Sequence, residues 1–425
     1  MAETASLSGI NVFDLDTLKQ PYATYRQLRD HAPVYLSPDM NVHVVTRYDL
    51  VREAVKDTET FSSRYDGFLA ESQRLAFEAA SPDVQTELRA ITGQMVDVPP
   101  TMLTLDEPDH TRYRSLVSEL FTASRIKASE AAVQAVIDQA IAAMEDRNCI
   151  EFMAAFASPV PLTIIATRLG IPVERWPFFF EAATAAAAAL RLTPLDGVEM
   201  VRRAGLALDL QRLLIELAEA RRVKPQEDMI SILANSRLDG DGRYLTHGEL
   251  IGILNQFLVA GHETTSSTFG WGMLLLCENP QLEQELRADG SLMRTFVEEA
   301  LRMEAPVQGL PRWVTRDTEL GGYPLEAGTM VMLRYGAANR DERQFPDPDR
   351  VDLRRRKAGA QMAFGSGVHF CIGAPLARQE LNLGFQALLE HGRDFRLDPT
   401  SEVPEPEASF VLRALPRLQI EFDPC

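Results

Sequence analysis

Apolar residues recur along this chain with two rhythms. Near the head, apolar and polar positions alternate over Val34 to Leu36 and Val42 to Thr46, which predicts a small antiparallel sheet. From roughly Ala128 the period lengthens. Val133, Val136-Ile137, Ala140-Ile141 and Met144 recur at three- and four-residue spacing, as do positions in Val201 to Ala218, and both stretches predict helices. The run from about Thr246 to Cys277 is apolar on most faces, so as a helix of about thirty residues it must be buried. Asn279-Pro280 closes it. Alternation returns over Thr318 to Leu333, with turn residues at Gly321-Gly322 and Glu326-Ala327-Gly328, and again over Phe410 to Phe422. The pattern predicts a mainly α fold: a single helix-rich domain, 1–425, with small antiparallel β-sheets near both ends.

Composition narrows the class of protein. The chain has 425 residues, 45% hydrophobic and 24% charged, as globular proteins do. Length alone would suggest two or three domains, but no repeat, low-complexity linker or compositional break divides it. The N-terminal stretch lacks a basic region followed by an apolar one, so it is not a signal peptide. The alanine-rich run Ala182 to Leu190 is about half of the ~20 residues a membrane span needs. Four scattered cysteines, Cys149, Cys277, Cys371 and Cys425, contain no CxxC pair and point to a reducing cytoplasm rather than a disulfide framework or a structural zinc site. A formal charge of −18 disfavours nucleic acid as a partner. No segment calls for a membrane, and a monomer is expected.

The chemistry concentrates in Phe364-Gly365-Ser366-Gly367-Val368-His369-Phe370-Cys371-Ile372-Gly373-Ala374-Pro375-Leu376-Ala377-Arg378. Three glycines around one cysteine allow tight turns and close approach of backbone to something flat. A helical pattern follows from Leu376 to Leu389, so Cys371 stands at a helix N-terminus, where N–H groups and the dipole favour a thiolate. Such a soft anionic donor with apolar neighbours suits heme iron, and its electron donation favours O–O cleavage. The common alternative for a lone cysteine is simple burial. Here the whole loop, FGxGxHxCxGxxLAR, resembles the heme-binding signature of the cytochromes P450. The resemblance implies that Cys371 is the axial ligand of heme b and Phe364 shields its thiolate. It also makes His369 a propionate partner and places Gly365 and Gly373 in the cofactor-binding loop.

The long helix carries Ala260-Gly261-His262-Glu263-Thr264-Thr265. His-Glu would suggest a zinc protease only with a second histidine four residues on, and Ser266 stands there. Gly261 costs about 1 kcal/mol against alanine in a helix, and threonine is a mediocre helix former. Two readings are open: a kink with threonine hydroxyls bonded to the preceding turn, or a loosened turn that makes a groove for a diatomic ligand and its waters. The segment resembles the P450 oxygen-activation motif. That implies Ala260 lines the oxygen pocket, Thr264 is the alcohol that hydrogen-bonds the activated oxygen, and Glu263 is the acid that feeds the proton relay. Gln256, one turn earlier on the same face, could reach the pocket or bond to backbone.

Glu299 and Arg302, three residues apart, could be an ordinary exposed pair. They resemble the P450 ExxR motif, whose triad Arg350 would complete behind the heme. His110 and Arg114, in a stretch resembling the family's C-helix, and Arg312, after the ExxR helix, match its propionate-binding groups. Arg112 and Arg316 are the neighbouring alternatives. The resemblance covers nearly the whole chain, with Ala414 where a glycine is usual. It implies a monooxygenase that inserts one atom of O2 into a hydrophobic substrate. With no reductase segment in the sequence, electrons would come from a separate ferredoxin. Arg354, Arg355, Arg356 and Lys357 form either a solvated run or that ferredoxin's docking patch on an otherwise acidic protein. A peroxide-driven enzyme and a heme sensor are the competing readings, and neither needs the Glu263-Thr264 pair. The positions matching the family's pocket, including Phe178-Phe179-Phe180, Val307 to Leu310 and Phe410 to Leu412, are mostly apolar. They suggest a neutral terpenoid, aromatic or steroid-like substrate.

Overall fold

Regular structure follows the two rhythms of the apolar positions. The computed structural model describes residues 10–38, 40–144, 147–188, 195–238 and 242–425. Its principal helices are α1 (Tyr22–His31), α2 (Tyr48–Lys56), α3 (Asp109–Ser118), α4 (Glu130–Ala142) and α5 (Pro159–Leu169). They continue with α6 (Trp176–Ala188), α7 (Gly197–Val223), α8 (His247–Glu278), α9 (Met293–Met303) and α10 (Ala374–His391). The alanine-rich run falls in α6 as far as Ala188; positions 189 and 190 lie outside the described residues. Among the described residues no helix is long and apolar enough to cross a membrane.

The strands form three small sheets. β1 (Val34–Ser37), β2 (Val42–Val45), β3 (Phe61–Ser62), β5 (Leu310–Val314) and β8 (Met330–Leu333) make the largest, in the order β1-β2-β8-β5-β3. Here β2 and β8 pair in parallel, because they come from opposite ends of the chain and no hairpin constrains them; the other pairs are antiparallel. β4 (Cys149–Glu151), β10 (Gln419–Pro424) and β9 (Gly392–Leu397) form the second sheet, and β6 (Thr318–Leu320) with β7 (Tyr323–Leu325) a hairpin. The strand expected over Phe410 to Phe422 is shorter. Leu412 makes only an isolated bridge to Val307, since the Ser409 hydroxyl turns the chain by accepting from Leu412 N and Pro416 has no N–H to offer a ladder.

Two compact units divide the chain: residues 1–62, 126–161 and 264–425 in the first, 63–125 and 162–263 in the second. In the first, α8 and α10 interlock through paired glycines. A side chain at Gly272 would fall 2.4 Å from the Phe385 ring, and one at Gly384 2.5 Å from the Phe269 ring, so each helix receives the other's phenylalanine. The rings lie 5.3 Å apart, and Phe156 and Phe296 meet them edge-on. Each fully buried ring contributes roughly 2 to 3 kcal/mol. In the second unit, α8 begins with a reciprocal cap. Thr246 N donates to Glu249 Oε2 at 2.8 Å and Glu249 N to Thr246 Oγ1 at 3.2 Å, which satisfies donors that the helix leaves unpaired.

Candidate active site

Cys371 sits where a chain that must turn twice meets the start of a helix. Gly365 and Gly367 have φ of 67° and 69°, a region that L side chains rarely adopt, and they fold the segment back so that Cys371 N donates to Phe364 O at 2.9 Å. Gly373 is the N-cap of α10 and has an ordinary φ of −79°. A Cβ there would lie 3.8 Å from Cys371 Sγ, in ordinary contact, so the sulfur packs directly beside the start of the helix. Phe364 and Phe370 meet edge-on at 6.4 Å, with Phe370 41% exposed, and His369 is half-buried at the end of the short turn Gly367–His369. Cys277 is a different kind of thiol: burial, with Glu278 and Glu283 nearby, pushes its pKa up to about 12.

The loop is held at both ends by α9. Arg302 and Glu299 are fully buried and form a two-pronged pair, Nε to Oε1 at 2.6 Å and Nη2 to Oε2 at 2.9 Å. Arg302 also donates to the carbonyls of Asn339, Pro348 and Arg350 at 3.1, 2.6 and 3.0 Å. Asn339 Oδ1 in turn accepts from Met362 N at 2.6 Å, just ahead of the Cys371 loop. At the far end Glu298 accepts from Arg378, whose guanidinium stacks 4.6 Å from the Phe364 ring centre. The expectation for Arg350 is corrected here. Its backbone carbonyl joins the network, while Arg355 supplies the third charged side chain, with Nε donating to Glu299 Oε1 at 3.0 Å. The same finding removes Arg355 from the expected docking run. Its side chain is 8% exposed and engaged, and the exposed Arg354 bridges Glu285. Glu298 carried no signal in the sequence, because nothing local distinguishes it from a surface polar residue.

Arg312 lies on β5, 2% exposed, opposite Val331 of β8. Its Nη1 donates to Pro311 O at 2.7 Å, while Nε is buried and has no hydrogen-bond partner among the described residues. A buried guanidinium with an unmet donor suits a bound anion. Arg316, the alternative, donates to Thr60 Oγ1 at 2.9 Å instead. A soft sulfur at a helix start, flanking aromatic rings and a buried cation with an unmet donor together fit an iron porphyrin carrying carboxylates.

α8 is α-helical from His247 to Glu278, so the expected loosening at Gly261 is not a break in the helix. Gly261 instead admits Ile165 of α5, which would lie 3.1 Å from a Cβ there. One turn on, outside the motif, Thr268 Oγ1 donates to Thr264 O at 2.9 Å. Ala260 is exposed between the buried Leu258 and His262. Glu263 is 9% exposed, with Oε2 at 3.8 Å from His262 Nε2, and His262 Nδ1 lies 2.8 Å from Leu258 O. Thr264 is half-buried one turn after Ala260. The division between the two units falls between Glu263 and Thr264.

His110 and Arg114 lie on α3, in the second unit. His110 is 2% exposed, with Nδ1 at 3.1 Å from Glu107 Oε1; Arg114 is half-buried, its carbonyl accepting from Ser118 Oγ at 2.7 Å. Between them Tyr113 donates to Glu249 Oε1 at 2.6 Å, which ties α3 to the first turn of α8. Glu249 also accepts from Arg243 at 2.7 and 2.8 Å. Arg243 first, then Tyr113 and Thr246, hold the Glu249 carboxyl down at about 2 against burial, and burial with this hydrogen bond pushes Tyr113 up to about 12. A depressed carboxyl contributes stability above its unfolded pKa, and that stability is lost as pH falls through the folded value. Glu249→Gln is therefore expected to lose about 2 kcal/mol at neutral pH. Urea denaturation at stepped pH checks this: the gap between wild type and variant narrows from the ordinary carboxylate range down to about 2. A constant gap would remove the acid from this role.

Comparison with known proteins bears on the whole arrangement. The family model described as Cytochrome P450 matches residues 210–422. Vitamin D(3) 25-hydroxylase of Pseudonocardia autotrophica is 33% identical over 410 residues, covering 96% of this chain and 94% of its own. 6-Deoxyerythronolide B hydroxylase of Saccharopolyspora erythraea is 31% identical over 410 residues, 95% of this chain and 96% of its own. Among solved structures, cytochrome P450 CYP109Q5 from Chondromyces apiculatus superposes with a TM-score of 0.83 at 29% identity, over 98% of both chains. CYP109E1 from Bacillus megaterium in complex with testosterone does so at 0.79 and 27%, over 94% of this chain and 99% of that one.

Proposed function

The chain belongs to the cytochrome P450 family and is a heme b monooxygenase, and on that premise we propose that it hydroxylates or epoxidises a neutral, medium-sized hydrophobic compound with electrons from a separate ferredoxin. The single observation that carries the reading is the Cys371 loop: a sulfur packed beside Gly373 at the start of α10, in a loop braced at both ends by α9. Cys371 is the proposed axial ligand, within one catalytic domain spanning 1–425 in the cytoplasm. Phe364 and Gly365 shape the loop around it, while Arg312, His369, His110 and Arg114 would hold the heme carboxylates. Bound there, the heme supplies oxygen activation and transfer.

The chain's own part in the chemistry is proton handling. Glu263 carries an acid into a largely buried turn of α8, and Thr264, the next residue, carries the hydroxyl that hands a proton on. Ala260, with only a methyl group, leaves room one turn earlier. Thr264→Ala is expected to keep the reduced CO spectrum and to lower product formed per NADH oxidised by about tenfold or more. A variant that stays fully coupled would remove Thr264 from the relay.

Substrate class rests on the pocket positions. Residues 95–103, 178–180, 259–260, 307–310 and 410–412 contain no Lys, Arg or His to anchor a carboxylate. Vitamin D(3), 6-deoxyerythronolide B and testosterone, with which the relatives are named, are bulky neutral molecules, in keeping with a terpenoid, aromatic or steroid-like ligand. A spectral screen that gave spin-state shifts only with charged fatty acids or peptides would overturn this. For the electron donor, the exposed Arg356 and Lys357, with Arg354, remain the basic surface offered to an acidic ferredoxin. Reversing Arg356 and Lys357 is expected to weaken ferredoxin-driven turnover and its salt dependence. An unchanged rate at low salt would refute docking there.

A further inference from the structure

The segment from Val96 to Leu105 runs along α8 in a groove made by glycines. A Cβ on Gly248 would meet Asp97 O at 2.0 Å, and one on Gly252 would lie 3.0 Å from the Thr101 methyl and 3.2 Å from Val98. One turn further, Gln256 Nε2 donates to the Thr101 hydroxyl. The start of the segment is tied separately to α7, where Gln211 Oε1 accepts from Val96 N at 3.0 Å. Thr101, Met102 and Leu105 are buried at 2, 7 and 6% exposure. Gly252, Gln256, Ala260 and Thr264 follow at four-residue spacing, along one ridge that winds slowly about the helix. At 1.5 Å per residue Gln256 stands about 6 Å along the axis from Ala260 and about 12 Å from Thr264.

A glycine groove gives a close fit but no directional bond, so it alone leaves the loop able to slide or lift. The Thr101–Gln256 hydrogen bond supplies the direction. We propose that Gln256 is a specificity-determining positioning residue: by holding Thr101 it pins the 96–105 loop across the ridge that leads to Ala260, and the pinned loop limits how long a ligand this face of α8 accepts. The proposal rests on the reading of Ala260 and Thr264 as the oxygen-activating part of the helix. It also resolves what Gln256 does, for its amide is committed to a loop hydroxyl rather than to backbone.

The test uses the full-length, heme-loaded protein and two neutral azole probes, imidazole and N-decylimidazole, followed by spectral titration. Thr101→Val and Gln256→Leu should each tighten N-decylimidazole relative to imidazole by about fivefold, the effect of releasing one hydrogen bond. Thr101→Ser should behave as wild type. Amide hydrogen exchange over residues 97–104 should quicken in both releasing variants and not in Thr101→Ser. Equal change for both azoles, no change for either, or an effect of Gln256→Leu without one of Thr101→Val would overturn the latch; the last would mean that Gln256 meets the ligand itself. A wild-type protein lacking the red-shifted CO band would instead defeat the monooxygenase reading, which this comparison between variants does not address.

Discussion

Cys371→Ser is expected to remove the red-shifted band from the reduced CO difference spectrum and, with it, all measurable substrate oxidation. The band reports a thiolate on iron, and a serine hydroxyl is a hard donor that stays protonated where a thiol can ionise. The surroundings would be little disturbed. Cys371 is held by its backbone, N donating to Phe364 O and O accepting from Ala374 N, and serine keeps both bonds. Folding and heme content should therefore fall far less than activity, which separates loss of the ligand from loss of the loop. Cys277→Ser serves as the control. That thiol is buried with its pKa pushed up to about 12, so its removal should leave the band intact. A Cys371→Ser protein that kept the band would end the assignment.

Arg302→Ala is expected to cost the protein about 3 to 5 kcal/mol, a large share of the ~5 to 15 kcal/mol that holds a typical protein folded. Arg302 is fully buried, and its truncation leaves Glu299 with half its charge partners and three backbone carbonyls short of a donor. Arg355 remains bonded to Glu299 but reaches it from outside, through a single nitrogen. Arg302→Lys should recover little, because one ammonium cannot reproduce a fork that serves both Glu299 oxygens and the meander together. Urea midpoints measure the loss. The spectrum should also shift in whatever folded fraction survives, since Asn339 would no longer hold Met362 at the head of the Cys371 loop. A loss below about 1 kcal/mol would show that the pair is merely tolerated.

Much of the fold and of the candidate site was legible in the linear order of residues. The long buried helix was placed within a residue of its bounds, because an apolar run with Thr246 before it and Asn279-Pro280 after it carries its own start and stop. The Cys371 loop was legible for a similar reason: its turns, cysteine and helix start are contiguous, so sequence spacing is spatial spacing. Gly261 left two readings open in the linear sequence; the folded chain keeps α8 continuous there and sets Ile165 3.1 Å from where a Cβ would stand.

Arg350 and Arg355 draw the boundary most sharply. Both lie in the same polar stretch, and propensity, charge and local pattern treat them alike. Which one turns inward depends on how the segment from Asn339 to Arg355 wraps around Arg302, through bonds spanning 37 to 48 residues. The same holds for Gln256, whose partner Thr101 is 155 positions away. Chain order alone was enough to find the glycine-flanked Cys371 loop, the long buried helix and the mainly helical class, because each is written in short-range periodicity or a contiguous motif. Burial and hydrogen-bond partnership between distant residues had to wait for the folded chain, since they are set by which surfaces meet and not by what any one residue prefers.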